Sequence, residues 1–572
     1  MVHGVSAPGA GPLGLGYDRS DLERSEKDST IGEEWHTDDA IDRLSRKSDS
    51  SRSQSLQCVG HQDDSNLQHE GSNHNKDVEK IASAKECPTT LTDAGQPSEA
   101  VVNGKLFEVK WESEQDPQNP KSDSFASHLR KWSIVLIVSS SAFCVTCASA
   151  MYTVTYSQLQ PEFGISREVA TLGLSLYVVG LGIGPMFLSP LSEFYGRKPI
   201  YVVAFGMYLI WLIPCAVAQN AATMMVSRFL DGLAGSAFLS VAGGTVGDIF
   251  PKHKLSAPMM IYTASPFNGP AVAPSFSSFI VYYTSWRWVF YVLIIWAFLQ
   301  LLALIFFVPE TYSPVLLRRK ARRLRKETGD ERWIAPIEMM DRSIAKTVLS
   351  SCIRPFQLLF FEQMCLNLCL LSAILLGVLY LFFGAIPLVM ERNHGFNLWQ
   401  SGLSFLGICV GQLIAVSCDP LWKRNYQRLV YKNGGVSEPE FRLPPTILGA
   451  IIVPISLFGF GWTTYPWVHW IVPIIFGGLF GLGNIFCFSG IFTFLVECYP
   501  LYAASALAAN SFARSSFAAA FPLFGVQMYE DLGFQWASSL LAFLALAMMP
   551  FPFLFFRYGK RLRGKSRFAS IP

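Results

Sequence analysis

The chain has 572 residues, 51% of them hydrophobic and 16% charged, with a mean hydropathy of +0.30. Soluble domains carry about 25% charged residues, so the composition excludes an ordinary soluble globule and predicts an all-α polytopic membrane protein. The net charge of +3 names no partner by itself, so the placement of the charges has to be read instead.

Residues 1–125 are rich in Ser, Asp, Glu, Lys, Gln and Asn. Such a segment buries too little apolar surface to offset its ordering entropy, and a disordered cytosolic tail is expected. No charged stretch followed by an apolar core opens the chain, so no signal peptide is expected. The first apolar run, near residue 132, then serves as both targeting signal and first span. Apolar stretches long enough to cross ~30 Å of hydrocarbon recur at roughly 132–155, 168–190, 200–219, 223–246, 257–281, 287–308, 363–390, 399–418, 443–463, 467–492, 503–526 and 535–556. These about twelve predicted spans fall into two six-helix halves, 126–308 and 356–557, joined by a basic linker at 309–355 and followed by a basic tail at 558–572. Lys and Arg crowd the loops on the N-terminal side, whereas the opposite loops hold little beyond Arg167, Arg287 and Arg392. That asymmetry predicts both termini in the cytosol.

The second predicted span ends "GPMFLSPLSEFYGRKP" and the eighth "GQLIAVSCDPLWKRNY". Both carry a Gly, an apolar run, an acid at the membrane edge (Glu193, Asp419) and a basic pair, as two pseudo-symmetric halves would. In the first, Gly196 permits a tight turn and Arg197 and Lys198 pin the loop to the inner leaflet. In the fourth span, Arg228 and Asp231 are helix neighbours at i and i+3. Intramembrane charges usually face a cavity or a partner. Asp231 is therefore a candidate carrier of a coupling proton, with a structural ion pair to Arg228 as the alternative; burial and a neighbouring cation act in opposite senses on its acidity. In the fifth span, Pro266, Pro270 and Pro274 share one helix face with Gly269 among small residues, which describes a curved surface against which another span packs. The linker opens "PETYSPVLLRRKARRLRKETGD", either a surface helix tying the halves together or a positive-inside anchor. In the eleventh span, Arg514 meets either substrate or an acid across the cleft, or is structural. Tyr152, Tyr177, Tyr262, Tyr380 and Asn484 are candidates for a substrate cavity; for any one aromatic, ordinary packing is the competing reading. Most of the 12 cysteines lie in apolar runs and are expected as small buried side chains, so no disulfide framework or metal site is expected.

Three stretches together resemble the major facilitator superfamily: "SPLSEFYGRKP" its loop 2–3 signature, "RFLDGLAGSA" its span 4 motif, and "GPAVAP" the span 5 motif of its antiporter branch. "TSWRWVFYV", "PETYSPVLLRRKA", "YAASALAANSFARS" and "DPQNP" are similar to the fungal twelve-spanner drug:proton antiporters. The resemblance covers about residues 110–560. It departs from the usual pattern at Ser189, Glu193, Ala273, Ser277, Ser278 and Glu497, each change keeping size or charge class. The resemblance implies that Glu193 pairs with the cytosolic start of span 11 near Ala503 to Ser505, holding the outward-facing state closed on the inside, and that span 5 seals against span 8. It further implies export of a small organic compound (drug, toxin, secondary metabolite or polyamine) from a fungal plasma membrane in exchange for protons.

No phosphate-binding loop, H-E-x-x-H or nucleophile elbow occurs, so the chain is expected to be neither an ATPase nor another enzyme. The expected energy source is a proton gradient with no cofactor or metal. The expected partners are a small-molecule substrate, protons and the bilayer, with no nucleic acid, and the protein is expected to be a monomer. An importer of organic acids on the same fold and a transporter-like sensor signalling through the tail are the competing functions.

Overall fold

A computed structural model describes residues 107–113, 116–122, 128–251, 254–339, 344–564, 566 and 568–569. The tail before residue 107, where disorder is expected, lies outside them. In chain order the elements are β1 (Phe107–Glu108), α1 (His128–Met151), α2 (Tyr156–Phe163), α3 (Arg167–Tyr195), α4 (Arg197–Ala216), α5 (Ala221–Gly235), α6 (Ala237–Ile249), α7 (Ser256–Tyr283) and α8 (Arg287–Phe307). They continue with α9 (Ser313–Thr328), β2 (Trp333–Ile334), α10 (Ile344–Phe361), α11 (Gln363–His394), α12 (Leu398–Leu403), α13 (Leu406–Ser417) and α14 (Asp419–Lys432). The last are α15 (Pro444–Trp462), α16 (Ile471–Cys498), α17 (Ala503–Leu532), α18 (Phe534–Met548) and α19 (Pro550–Arg563).

Among the described residues, ten helical segments are long and apolar enough to cross a membrane. The two expected spans missing from that set are present as α7, of 28 residues, and α17, of 30. Ser, Pro and Asn in α7, and Ser, Ala and Arg514 in α17, dilute their hydropathy. Both helices face protein rather than lipid along much of their length. By contrast α8 leaves Ile295, Phe298, Leu299 and Phe306 exposed, an apolar surface suited to hydrocarbon rather than water.

Helix pairing repeats between the halves. α1 packs on α7 as α11 packs on α17, α3 on α5 as α13 on α16, α4 on α5 as α15 on α16, and α4 on α8 as α15 on α18. Each second pair lies six spans after the first. An ion pair repeats with them: Arg197 at the start of α4 meets Asp248 near the end of α6 at 3.1 Å, and Arg442 before α15 meets Glu497 near the end of α16 at 2.7 Å. The fold is thus two pseudo-symmetric helical halves.

The halves meet along two seams. In the first, α3 runs against α17: Gln527 donates to Glu168 at 3.4 Å, the Ser175 hydroxyl to Ala519 O at 2.6 Å, and Gly182 abuts Ser515. In the second, α7 meets α12 and α13: Ser275 donates to Gly402 O at 2.9 Å, and the Phe279 and Trp399 rings stack at 5.5 Å. Both seams are tight at the end where α3 begins. At the other end, where the basic helices α9, α14 and α19 emerge, α10 touches both α3 and α17, with Cys352 Sγ 4.0 Å from Met186 O and the Phe356 and Phe512 rings 5.1 Å apart.

Residues 107–122 fall in the segment whose composition suggests no stable structure, yet they dock on the linker. β1 pairs in parallel with β2. Val109 is buried against Leu317, Ala321 and Ala335, and the Trp111 indole donates to Ser313 Oγ at 2.9 Å. Asp116 of the "DPQNP" stretch accepts from Gln118 N and Glu112 N and from Lys320 Nζ. Partial burial opposes ionisation there, but those donors hold the Asp116 carboxyl below its usual range. The linker supplies the apolar partners that the tail lacks on its own.

Candidate functional site

Arg228 and Asp231 of α5 are both fully buried, on the face packed against α1 and α3. Arg228 Nη1 lies 3.7 Å from Asp231 Oδ2, close enough for an ion pair and too far for a hydrogen bond. Arg228 Nη2 donates to Ala148 O of α1 at 3.1 Å, and the guanidinium lies 4.7 Å from the Tyr152 ring and 4.0 Å from that of Tyr177. The two phenols are tied down in turn, Tyr152 to Ala170 O and Tyr177 to Val145 O. Neither Asp231 oxygen has a hydrogen-bond partner. A buried carboxylate normally collects several donors, so this one is held by a single loose charge contact. Tyr152 and Tyr177 therefore grip Arg228 inside the first half.

Arg514 of α17 sits at the junction of the halves. Its guanidinium lies 5.5 Å from the Phe267 ring of α7, and 5.5 and 5.1 Å from Phe488 and Phe492 of α16. Phe267 and Phe488 stack across the junction with centroids 4.5 Å apart. The phenols of Tyr262 and Tyr380 are within electrostatic reach. Tyr380 also shares a 3.0 Å hydrogen bond with Ser149 of α1, across the halves. Asn484, one helical turn before Phe488, is fully buried with both amide atoms unpartnered. Of the five expected cavity residues, Tyr262 and Tyr380 thus lie toward Arg514, and Tyr152 and Tyr177 around Arg228, while Asn484 stands apart on α16 one turn from Phe488. Composition alone could not make that division, because it depends on helix phase.

The loop after α3 is organised differently from the expectation. Gly196 closes α3 at φ +101°, a conformation that L side chains rarely adopt, and a Cβ there would strike the Glu310 carboxylate. Glu310 accepts from Arg197 N at 2.9 Å and Lys198 N at 3.3 Å, which caps α4. Lys198 Nζ donates to Ile305 O and Arg197 Nη1 to Ser192 Oγ. Glu193, expected against the start of α17 near Ala503 to Ser505, makes no hydrogen bond or ion pair with a described residue. At this end α10 packs on both α3 and α17, and the pairing expected when the inner side is closed is not formed in this state. Glu310, Asp248 and Arg442 were not singled out in the sequence. The signal was there: an acid ends the fourth span ("VGD") and another ends the tenth ("LVE"), at corresponding places in the two halves.

In the fifth span, α7 continues unbroken through Pro266, Pro270 and Pro274. Pro270 and Pro274 are buried and Pro266 half-buried. Gly269 fits against α1, where a Cβ would lie 3.1 Å from Phe143 O and strike the Thr146 hydroxyl. The Pro274 end faces Gly402, whose missing Cβ would be 2.7 Å from Pro274 O. The contact between span 5 and span 8 is therefore a backbone-to-backbone approach. Among the described residues no group of His, Cys, Asp or Glu is arranged to hold a metal ion.

Two helical halves with repeated pairing, a buried charge pair in one and a guanidinium at their junction make the architecture of a pseudo-symmetric membrane transporter. The comparison with known proteins agrees: residues 138–522 match the Major Facilitator Superfamily, and the chain belongs to that family. It is 57% identical over 469 residues to efflux pump atB of Aspergillus terreus, covering 81% of this chain and 90% of that protein. It is 42% identical to "Probable drug/proton antiporter YHK8" of Saccharomyces cerevisiae, covering 78% and 88%. It is also 42% identical to the major facilitator superfamily multidrug transporter mdrA of Aspergillus fumigatus, covering 81% and 76%.

Proposed function

We propose that the protein is a proton-coupled antiporter, exporting small organic compounds by alternating access between its two halves. The supporting observation is Asp231, a buried carboxyl with no hydrogen bond and one cation 3.7 Å away, in a chain whose relatives are named efflux pumps and a drug/proton antiporter. A group so placed is poised between two states. Ionised, it draws the Arg228 guanidinium back along α5; protonated, it leaves the guanidinium to Ala148 O of α1 and the Tyr177 ring of α3, so that proton loading changes how firmly α5 is tied to its neighbours. The proton gradient supplies the energy, and no cofactor takes part.

In this reading the chain crosses the membrane twelve times as a monomer, with both termini in the cytosol and the plasma membrane as its site. The ten strongly apolar segments, together with α7 and α17, make up the spans, and the basic end faces inward. The seams closed at the opposite end then correspond to an inward-facing state, which takes up substrate from the cytosol. The test uses purified protein in liposomes with an imposed pH gradient, following proton movement on addition of lipophilic cations, polyamines, organic acids and neutral drugs. Substrate-dependent proton flux that disappears in Asp231→Asn is expected. Substrate movement without proton movement would leave a facilitator.

A further inference from the structure

Among the described residues, Asp231 is the one acid in the middle of a membrane-crossing helix, and Arg228 already pairs with it. The other acids of the helices sit near their ends, as Glu193, Asp248, Glu497 and Glu530 do. Arg514 therefore brings to the junction of the halves a positive charge that no described acid balances. It makes no ion pair or hydrogen bond with a described residue; its contacts are the faces of Phe267, Phe488 and Phe492. Its Nε is buried without an acceptor, while the residue as a whole is only half-buried. Ring faces satisfy a cation's charge in part, and leave a guanidinium's N–H donors, which lie in its plane, without acceptors. Two further amides wait nearby on the same two helices: Asn484, with both atoms unpartnered, and the carbonyl oxygen of Asn510, one turn before Arg514.

We propose that Arg514 anchors the negative charge of the transported compound, which is a small organic monoanion with a flat or apolar body. The planar guanidinium matches a carboxylate, or another anionic group of two oxygens, bidentately. The Phe267–Phe488 stack gives the body an aromatic surface. Because Phe267 belongs to one half and Phe488 to the other, a compound inserted between them touches both parts that move. The same charge disfavours polyamines and other cations by repulsion, which is strong in a low-dielectric site. This inference rests on the exporter reading for its transport step, but its binding step stands alone.

The test compares the full-length protein in nanodiscs at pH 7.5 with matched probes: benzoate, salicylate and 2-naphthoate, their amides, and 2-naphthylmethylamine as the cation. The wild type is expected to bind at least one acid ten-fold or more tighter than its amide, and the amine worst. The preference should fall to near one in Arg514→Gln and be partly kept in Arg514→Lys. Acids that bind no tighter than their amides to the wild type would overturn the proposal, whether or not a variant folds, as would an unchanged preference in a monodisperse Arg514→Gln. Proton movement in liposomes, corrected with protein-free vesicles, separates the two readings. Acid binding without proton movement leaves this inference standing and removes the antiporter; proton-coupled movement of neutral or cationic compounds alone keeps the antiporter and overturns the anion site.

Discussion

Arg228 and Arg514 are both guanidiniums resting on aromatic rings, and they differ in their counter-charge. Arg228 has Asp231 on its own helix, so removing either partner strands the other in a low-dielectric interior. Breaking a buried pair in this way costs about 3–5 kcal/mol, much of it the penalty of the orphaned charge. Arg228→Gln is therefore expected to lower the unfolding temperature in detergent sharply, and the double variant Arg228→Gln/Asp231→Asn to recover most of the loss. A double variant as unstable as the single one would mean that the Ala148 and tyrosine contacts, rather than charge pairing, carry the stability. Gly402 is constrained by space alone. A Cβ there would meet Pro274 O at 2.7 Å, and backbone cannot swing aside as a flexible side chain does. Gly402→Leu should cost about 1–3 kcal/mol by overpacking. It should also wedge the α7–α12 seam, so that transport falls by more than the loss of folded protein explains.

At the scale of elements, hydropathy and local motifs were enough to find the long apolar helices, the pseudo-symmetry of the fold and the Arg228–Asp231 pair. All of these are set within one helix or by an average along it. The small residues beside the prolines marked α7 as a packing surface, but its partner, the start of the eighth span, came only from the family resemblance. Tertiary placement was not legible. Glu310 caps α4 from beyond three intervening spans, and the docking of residues 107–113 and 116–122 depends on an apolar face that α9 provides. The Glu193 pairing is expected only when the inner side is closed, and here α10, read only as part of a basic connection, packs on both α3 and α17 at that end. That position makes a prediction. Cys352 Sγ lies 4.0 Å from Met186 O, so Met186→Cys should cross-link to Cys352 with a short bis-maleimide. The link should arrest transport by fixing α10 to α3, and Cys352→Ser should restore it. Full transport by the cross-linked protein would show that α10 and α3 move as one body.

For the whole molecule, the balance of charge across a cycle decides how the membrane potential enters. In the proposed cycle Asp231 loads and unloads one proton, and the positive charge of Arg514 stays with the protein. If the compound leaving is an anion and the ion entering is a proton, both movements carry positive charge inward, two charges per cycle. A neutral compound exchanged for one proton moves one. Each charge is worth about 2.3 kcal/mol per 100 mV, so 100 mV (inside negative) drives an anion with roughly 4.6 kcal/mol and a neutral compound with half of that. At about 1.4 kcal/mol per decade, the supported concentration ratios are on the order of 2,000-fold and 50-fold. Potassium diffusion potentials set with valinomycin, at equal pH on both sides, should therefore steepen 2-naphthoate transport about twice as strongly in logarithmic terms as 2-naphthamide transport. Equal slopes for the two compounds would mean that the acid crosses in its protonated form, with Arg514 left uncompensated at the moment of crossing. A naphthoate slope of zero would mean that the proton leaves on the same side as the anion, which makes the protein a symporter of the pair.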